Sequence, residues 1–401
     1  NGTLLQMIGL NPPYQETVQI QNTRLDQPLP PGSAINLVAA ATAPNLRGIQ
    51  ADWTDPYMQH WSLDIQRQLD SNTVITVGYF GSKGTHLIGA FELNALPPGF
   101  AIAKGPTGCA VGTSTTPTAP CQVAGQAFGV AGLSTNILDQ VRPFRGYRSL
   151  TIIQPRYNSS YHSLQVFGTR RFAGKSQASV AYTWSKNLTD NQTDRSTAPQ
   201  SSYDIGLDKG RAALDRRHVF TANYNYELPF FLKHENGLVK NVLGGWEASG
   251  IVVYNTGLPF TPSTSSYDPA GLGIIPALVA GGRPNLLCDP NENAPHTQQE
   301  WFNTACFERN PTTNSGLRNV IGNAGRGIIE GPPTFRVDFS MLKNVRFGET
   351  KQLQLRAEAF NVFNHTNFKT IASTNVTVAT FGQISQTRDP RTIQLGAKFI
   401  F

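Results

Sequence analysis

Apolar and polar residues alternate with a period of two through much of the chain. Trp61, Leu63, Ile65 and Leu69 are interleaved with Ser62, Asp64, Gln66 and Gln68. Ala178, Val180, Tyr182 and Trp184 are interleaved with Ser179, Ala181, Thr183 and Ser185. Phe335, Val337, Phe339 and Met341 are interleaved with Arg336, Asp338 and Ser340. Successive side chains of a strand point to opposite faces, so this pattern predicts strands with one apolar and one polar face. Nine such strands are expected, at 57–69, 73–83, 160–172, 175–187, 216–229, 244–257, 334–345, 351–363 and 390–401. Their length is about the 9–11 residues that a strand needs to cross a bilayer at barrel tilt, or slightly more.

The connections sort by parity. Leu69 to Thr73, Phe172 to Lys175 and Val345 to Lys351 are tight, and Phe230 to Leu243 is moderate. The others, 84–159, 188–215, 258–333 and 364–389, are long. Such loops are uncommon in compact soluble domains. Short turns at one end and long loops at the other are the pattern of an outer-membrane barrel. A soluble sandwich shows similar strands, but its loops do not sort in this way. The expected fold class is therefore all-β: an antiparallel, up-and-down transmembrane β-barrel with long extracellular loops. Single-chain bacterial barrels have even strand numbers, and nine is odd. Residues 57–401 are thus expected to be the C-terminal part of a larger barrel. Residues 1–56 are read as an extracellular loop region with a remnant of a preceding strand. The start Asn1-Gly2-Thr3, without Met or a leader, agrees with a fragment.

Composition narrows the alternatives. Hydrophobic residues make up 39% of the 401, which excludes a disordered chain. No window approaches the roughly 18 apolar residues of a helical span, which excludes a transmembrane helix but not a barrel. The formal charge of +7 is spread singly or in short pairs such as Arg170-Arg171, so nucleic acid is not an expected partner.

Candidate chemistry is sparse. Cys109 with Cys121 and Cys288 with Cys306 form two local pairs in Gly/Pro/Asn/Thr-rich stretches, read as two loop disulfides of an oxidising compartment. A metal site with His296 lacks the ligand spacing. Gly78-x-x-Gly81-x-x-Gly84 lacks the following helix of a phosphate loop and is read as close packing in a strand. Asp64, Gln66, Arg336, Asp338, Arg356 and Glu358 fall on polar faces and are read as lumen lining, not catalytic groups. No catalytic residue, metal ligand or cofactor is assigned. Trp61, Phe80, Trp184 and Tyr254 are expected in an aromatic girdle at one interface. Trp246, Phe172, Phe230, Phe231, Phe347 and Phe401 are expected at the other. Arg211, Arg216 and Arg217, at the long-loop end of a strand, are candidates for lipopolysaccharide phosphates.

Several segments carry a resemblance. The final Gln394-Leu395-Gly396-Ala397-Lys398-Phe399-Ile400-Phe401 looks like the outer-membrane β-signal read by the barrel assembly machinery, through Gln394, Gly396, Phe399 and Phe401. Tyr57-Met58-Gln59-His60-Trp61-Ser62-Leu63-Asp64-Ile65-Gln66-Arg67-Gln68-Leu69 is followed by Gly78-Tyr79-Phe80-Gly81-Ser82-Lys83-Gly84-Thr85-His86-Leu87. Tyr161-His162-Ser163-Leu164-Gln165, Ala181-Tyr182-Thr183-Trp184-Ser185-Lys186 and Asp215-Arg216-Arg217-His218-Val219-Phe220 come next. Arg356-Ala357-Glu358-Ala359-Phe360-Asn361-Val362-Phe363-Asn364-His365 lies near the end. From about residue 50 to the end, this series resembles the barrel of Oar-like TonB-dependent transporters. The resemblance implies the last nine strands of a 22-stranded barrel in the outer membrane of Gram-negative bacteria. It implies a plug and TonB box elsewhere in the parent protein, through which TonB would act on a small solute such as a carbohydrate, peptide or siderophore. Outer-membrane lipid would be the surround. The alternative is a structural or adhesive barrel whose loops bind surfaces without transport.

Charge gives a register for the hairpin 334–345/351–363. Opposed residues of an antiparallel pair have a constant index sum. A sum of 694 sets Asp338 against Arg356 and Arg336 against Glu358, with Phe339 against Leu355 on the other face.

Overall fold

The computed structural model describes residues 46–95, 143–144, 147, 149–174, 176–192, 199–231, 239, 242–264, 282–308, 322–347 and 351–401. Nine strands form one antiparallel sheet in chain order: β1 (Tyr57–Asp70), β2 (Thr73–Glu92), β3 (Leu150–Arg171), β4 (Gln177–Thr189), β5 (His218–Glu227), β6 (Trp246–Asn255), β7 (Thr334–Phe347), β8 (Lys351–Phe360) and β9 (Thr392–Ile400). Each pairs with its sequence neighbours, and β1 and β9 are the two edges. The nine expected strands are all present. The loop expected over 84–159 is not all loop: β2 and β3 run past the other strands and stay paired to Glu92↔Thr151, with bulges around Leu87. The short strand Leu46–Ile49 lies parallel to the start of β3. Earlier residues, and Cys109 with Cys121, lie outside the described residues.

The ladders carry one face unbroken across the sheet. Ile65 opposes Val77, Val77 opposes Val166, and Val166 opposes Tyr182. Tyr182 opposes Phe220, Phe220 opposes Tyr254, and Tyr254 opposes Phe335. The row on the other side reads Gln68, Val74, Thr169, Ser179, Asn223, Ile251 and Asp338. The first face is open: Leu63 is 66% exposed and Leu395 78%. An apolar face roughly 40 Å wide, from nine strands at their usual spacing, needs an apolar surround. The buried apolar residues are elsewhere. Trp301, Phe302, Phe307, Ile329, Ile371 and Phe381 belong to a cluster made by the segments 256–333 and 361–391, both at the long-loop end.

Two expectations about side chains are corrected. The sum for β7 and β8 is 698: Ser340 opposes Glu358, Leu342 opposes Arg356 and Phe347 opposes Lys351. A shift of four keeps every residue on its face, so alternation cannot separate 698 from 694. The charges do not choose either, because they pair along their own strands. Arg336 Nε lies 2.7 Å from Asp338 and Arg356 Nη1 3.6 Å from Glu358, each two residues apart on one face. Strand ends set the register: Phe347 and Lys351 leave a three-residue connection, a common hairpin length. Phe80 is also not with the outer aromatics. It opposes Ser62 and Ser163 and packs against His60 and Tyr161 on the polar face. Trp61, Trp184 and Tyr254 stand on the apolar face toward the long loops, and Trp246 toward the short turns.

The glycines of β2 make room for neighbours. A Cβ on Gly81 would overlap the Trp61 indole, and one on Gly78 would overlap the Asp64 carboxylate.

Opposed Cα atoms in such a ladder are about 5 Å apart, within disulfide reach. The variant pair Ser340→Cys with Glu358→Cys is therefore expected to cross-link on oxidation. Ser340→Cys with Gln354→Cys, the partners under a sum of 694, is separated by roughly 13 Å along the strand and should stay reduced. Mass analysis of the oxidised protein distinguishes them, and the opposite result would reject the observed register.

Candidate functional site

The polar face and the loops at its long-loop end form one continuous polar region. On the face, a cavity of about 470 Å³ is lined by residues that include Asn223, Asn225, Glu247, Ser249, Asp338 and Arg356. The six residues read as lumen lining, Asp64, Gln66, Arg336, Asp338, Arg356 and Glu358, all stand on this face. A smaller cavity of about 170 Å³ lies where the face meets the loops, against Arg336, Asn361, Asn367, Lys369, Arg388 and Asp389. Asp338 links the two, since it pairs with Arg336 and accepts a 2.9 Å hydrogen bond from the Asn361 backbone N–H. The chemistry offered is a mixture of amides, hydroxyls and alternating charges, suited to binding a polar solute.

The loops hold one another by buried polar contacts. Asp208 sits at the end of a 3-10 turn, Ile205–Asp208, and is fully buried. Its Oδ1 meets Arg283 Nη1 at 2.7 Å and Arg326 Nη2 at 2.5 Å, and its Oδ2 accepts from Gln200 N at 2.7 Å. Arg283 and Arg326 are 3% and 6% exposed, so a single carboxylate is shared by two desolvated cations. The Arg283 Nη2 donates to Leu207 O, and Gln200 Nε2 donates to Gly322 O. These contacts join 199–217 to 282–327. Glu92 does similar work at the top of β2. Its carboxylate accepts from Leu150 N at 2.8 Å, from Asn94 N at 2.9 Å and from Ser149 Oγ. Ser202 Oγ donates to the Glu92 carbonyl, and Tyr203 OH to that of Ala95.

Cys288 and Cys306 are bonded, with Cα atoms 4.8 Å apart. The bond closes an 18-residue span beside the aromatic cluster, nominally worth about 3 kcal/mol through the unfolded chain. His296 lies edge-on to Trp301, with ring centroids 4.8 Å apart.

The arginines read as phosphate contacts are differently employed. Arg211 Nε pairs with Asp215 at 2.7 Å, and Arg216 Nη1 donates to Thr256 O at 2.6 Å. Burial, and then the charge of Arg388, pull the Arg216 guanidinium below its usual range. Arg217 contributes its carbonyl to Ser185 N. Arg211 and Arg216 thus brace the loop–strand junction. At the C-terminus, Gln394 and Gly396 take the polar face of β9, while Phe399 and Phe401 stack on the other at 6.2 Å.

Asp208, Arg283, Arg326 and Glu92 escaped sequence reasoning. Asp208 lies 75 and 118 residues from its two partners, with no local motif.

An outer membrane beta barrel domain family model matches residues 1–394. Among solved structures, the chain resembles the outer membrane transporter YddB from Escherichia coli, at 9% identity and a TM-score of 0.44, over 90% of this chain and 35% of that one. It also resembles the FrpB iron transporter from Neisseria meningitidis, at 10% identity and a TM-score of 0.37, over 88% and 32%. The chain spans about a third of the length of each. No curated protein sequence matches it.

Asp208→Ala would leave two guanidiniums buried without a counter-charge, a loss of about 3–5 kcal/mol by analogy with broken buried pairs. The loops should then open while the sheet persists. Limited proteolysis is expected to cut 199–217 or 282–327 at least about tenfold faster, since cleavage follows the open population. The heat-dependent gel mobility of the folded barrel should not change. Wild-type cleavage rates in the variant would show that Asp208 does not hold these loops together.

Proposed function

The chain belongs to the outer membrane beta barrel domain family and resides in the outer membrane, and we propose that it is the barrel portion of a TonB-dependent, Oar-like transporter that imports a scarce solute. The observation that carries this reading is the division of the sheet into one apolar and one polar, cavity-bearing face. In hydrocarbon every backbone polar group must be satisfied internally, and a closed barrel does so with strands. The apolar face then meets lipid and the polar face lines the lumen.

In this reading the long loops are extracellular and the short turns periplasmic. β9 ends on the periplasmic side, where Gln394, Gly396, Phe399 and Phe401 would be available to the barrel assembly machinery. The solute would first meet the braced loops and then the smaller cavity around Arg388 and Arg336. It would next reach the larger cavity along Asp338 and Arg356. Passage would be driven by TonB acting on a plug in the parent protein, with the remaining strands of a 22-stranded barrel closing the wall. Amides, hydroxyls and paired charges suit a carbohydrate, a peptide or a siderophore. No covalent chemistry is assigned to this chain.

A second reading keeps the barrel but makes the loops an adhesive platform. The loop cluster of Trp301, Phe302, Phe307 and Phe381 favours it, because a loop region with its own core presents a fixed surface.

The test is energised uptake in whole cells that produce the parent protein. Accumulation of a solute from a labelled carbohydrate, peptide and siderophore panel should disappear on removing TonB or collapsing the proton gradient. Solute binding at the surface should survive both. Uptake indifferent to TonB and to the gradient would reject the transporter reading. Attachment to surfaces without any uptake would favour the adhesive one.

A further inference from the structure

Toward the long loops, the lipid-facing side of the sheet is selective in the sign of its charges. Asp64, Glu227, Glu247, Asp338 and Glu358 all stand on the polar face. The described ladder residues put one acid on the apolar face, Asp70, which opposes Thr73 beside Arg170 at the short-turn end; toward the long loops that face carries Lys83 and Lys186 and no Asp or Glu, while Arg67, Arg170 and Lys343 lie toward the short turns. Desolvation does not account for this. On the lipid face of a barrel, Asp and Glu cost less than Lys and Arg at the same depth, and near the interface all cost little. Bases without acids toward the long loops imply negative charge in the surround at that end.

The two ends differ. At the short-turn end, Lys343 Nζ donates to the Gly244 carbonyl and lies 5.5 Å from the Trp246 ring centroid. The Arg170 guanidinium lies 5.4 Å from the Phe172 ring. At the long-loop end, Lys83 and Lys186 are exposed, and neither ammonium has a partner among the described residues. Between them is a rigid shelf. Trp61 lies over Gly81, where no Cβ obstructs it, and its indole N–H donates to Tyr79 OH at 3.3 Å. That hydroxyl is 2.7 Å from His162 Nδ1, and His162 opposes Lys186 directly. Lys83 is the next outward residue after Gly81 on β2. Strand spacing and rise put the two lysine backbones roughly 12 Å apart. Two ammonium groups on long arms over an aromatic shelf, with no carboxylate among the described ladder residues at that end of the face, suit a headgroup bearing two phosphates.

We infer that Lys83 and Lys186, on the Trp61–Tyr79–His162 shelf, bind the phosphates of lipid A in the outer leaflet. The inference rests on the orientation proposed above and replaces the role expected for Arg211, Arg216 and Arg217. The cations at the short-turn end face the inner leaflet.

The test uses the parent protein purified from outer membranes in detergent micelles and titrated with bisphosphorylated lipid A. K83Q/K186Q should bind roughly 30-fold more weakly, each lysine at an anionic surface contributing a factor of about five. K83R/K186R should restore binding to within about threefold, because the charge is kept. R67Q/R170Q should match the wild type, and heat-dependent gel mobility should report an intact barrel in every variant. Lipid A lacking phosphates should bind wild type and K83Q/K186Q equally. Unchanged affinity in K83Q/K186Q overturns the inference, as does equal loss in both glutamine pairs, which marks diffuse charge. Loss confined to R67Q/R170Q overturns it by inverting the orientation. None of these results depends on whether a solute is imported, which the uptake assay reads separately.

Discussion

In hydrocarbon a strand has no water to satisfy its N–H and C=O groups, so each strand of the wall must share a complete ladder with its neighbours. That constraint fixes more than the backbone here. Side chains alternate, and opposed residues share a face, so a choice of face at Ile65 is passed by the ladders to Phe335, six strands away. A one-residue slip in any hairpin would turn every later strand inside out. The alternation in each strand therefore supports its neighbours' alternation as well as its own. The glycines serve the same end by letting the Trp61 ring and the Asp64 carboxylate lie against the next strand.

With the apolar groups of the strands on one open face, the buried apolar cluster among the described residues is found in the loops. Phe302, Phe307 and Phe381 meet edge to face at centroid separations of 5.2–5.9 Å, and Trp301 meets Phe368 likewise at 5.7 Å. Such rings supply a large apolar area and a preferred geometry. The disulfide at Cys288 and Cys306 lies alongside, and Asp208 ties this region to 199–217. Loops of this length would otherwise have a high ordering entropy. Aromatic burial, one covalent bond and a buried ion cluster each offset part of it.

The strands were legible in the sequence because period two is a local signal, and the outer-membrane architecture was legible because loop lengths sort by parity. The correct face for Asp64, Gln66, Arg336, Asp338, Arg356 and Glu358 followed from the same signal. Phe80 was misplaced because an aromatic among outward aromatics looks like one of them, and only its parity with Ser62 and Ser163 places it on the polar side. The hairpin register failed for a different reason. Opposite charges two residues apart can pair along a strand or across it, and the sequence does not distinguish these. Asp208 with Arg283 and Arg326 was not legible, because contacts across 75 and 118 residues leave no trace in spacing. The arginines at 211 and 216 had the right composition for an anion site, but Asp215 and Thr256 O reach them first.

The loops and the polar face are mechanically joined through a few groups at the top of β7. The Asn361 N–H donates to Asp338, whose other partner is Arg336. The Asn367 amide exchanges two hydrogen bonds with the Phe335 backbone, at 2.7 and 2.8 Å. Both asparagines belong to 361–391, which also contributes Ile371, Val376, Phe381 and Ile384 to the loop core. A displacement of that core must therefore strain or break the Asn361–Asp338 bond. Losing it leaves the Asp338 carboxylate to Arg336 alone and alters the charge presented to the cavity below. The larger cavity includes Asp338 and the smaller one includes Arg336 and Asn361, so both are lined by members of this linkage. The two cavities are thus joined through one carboxylate, Asp338, which lines the larger and pairs with Arg336 of the smaller.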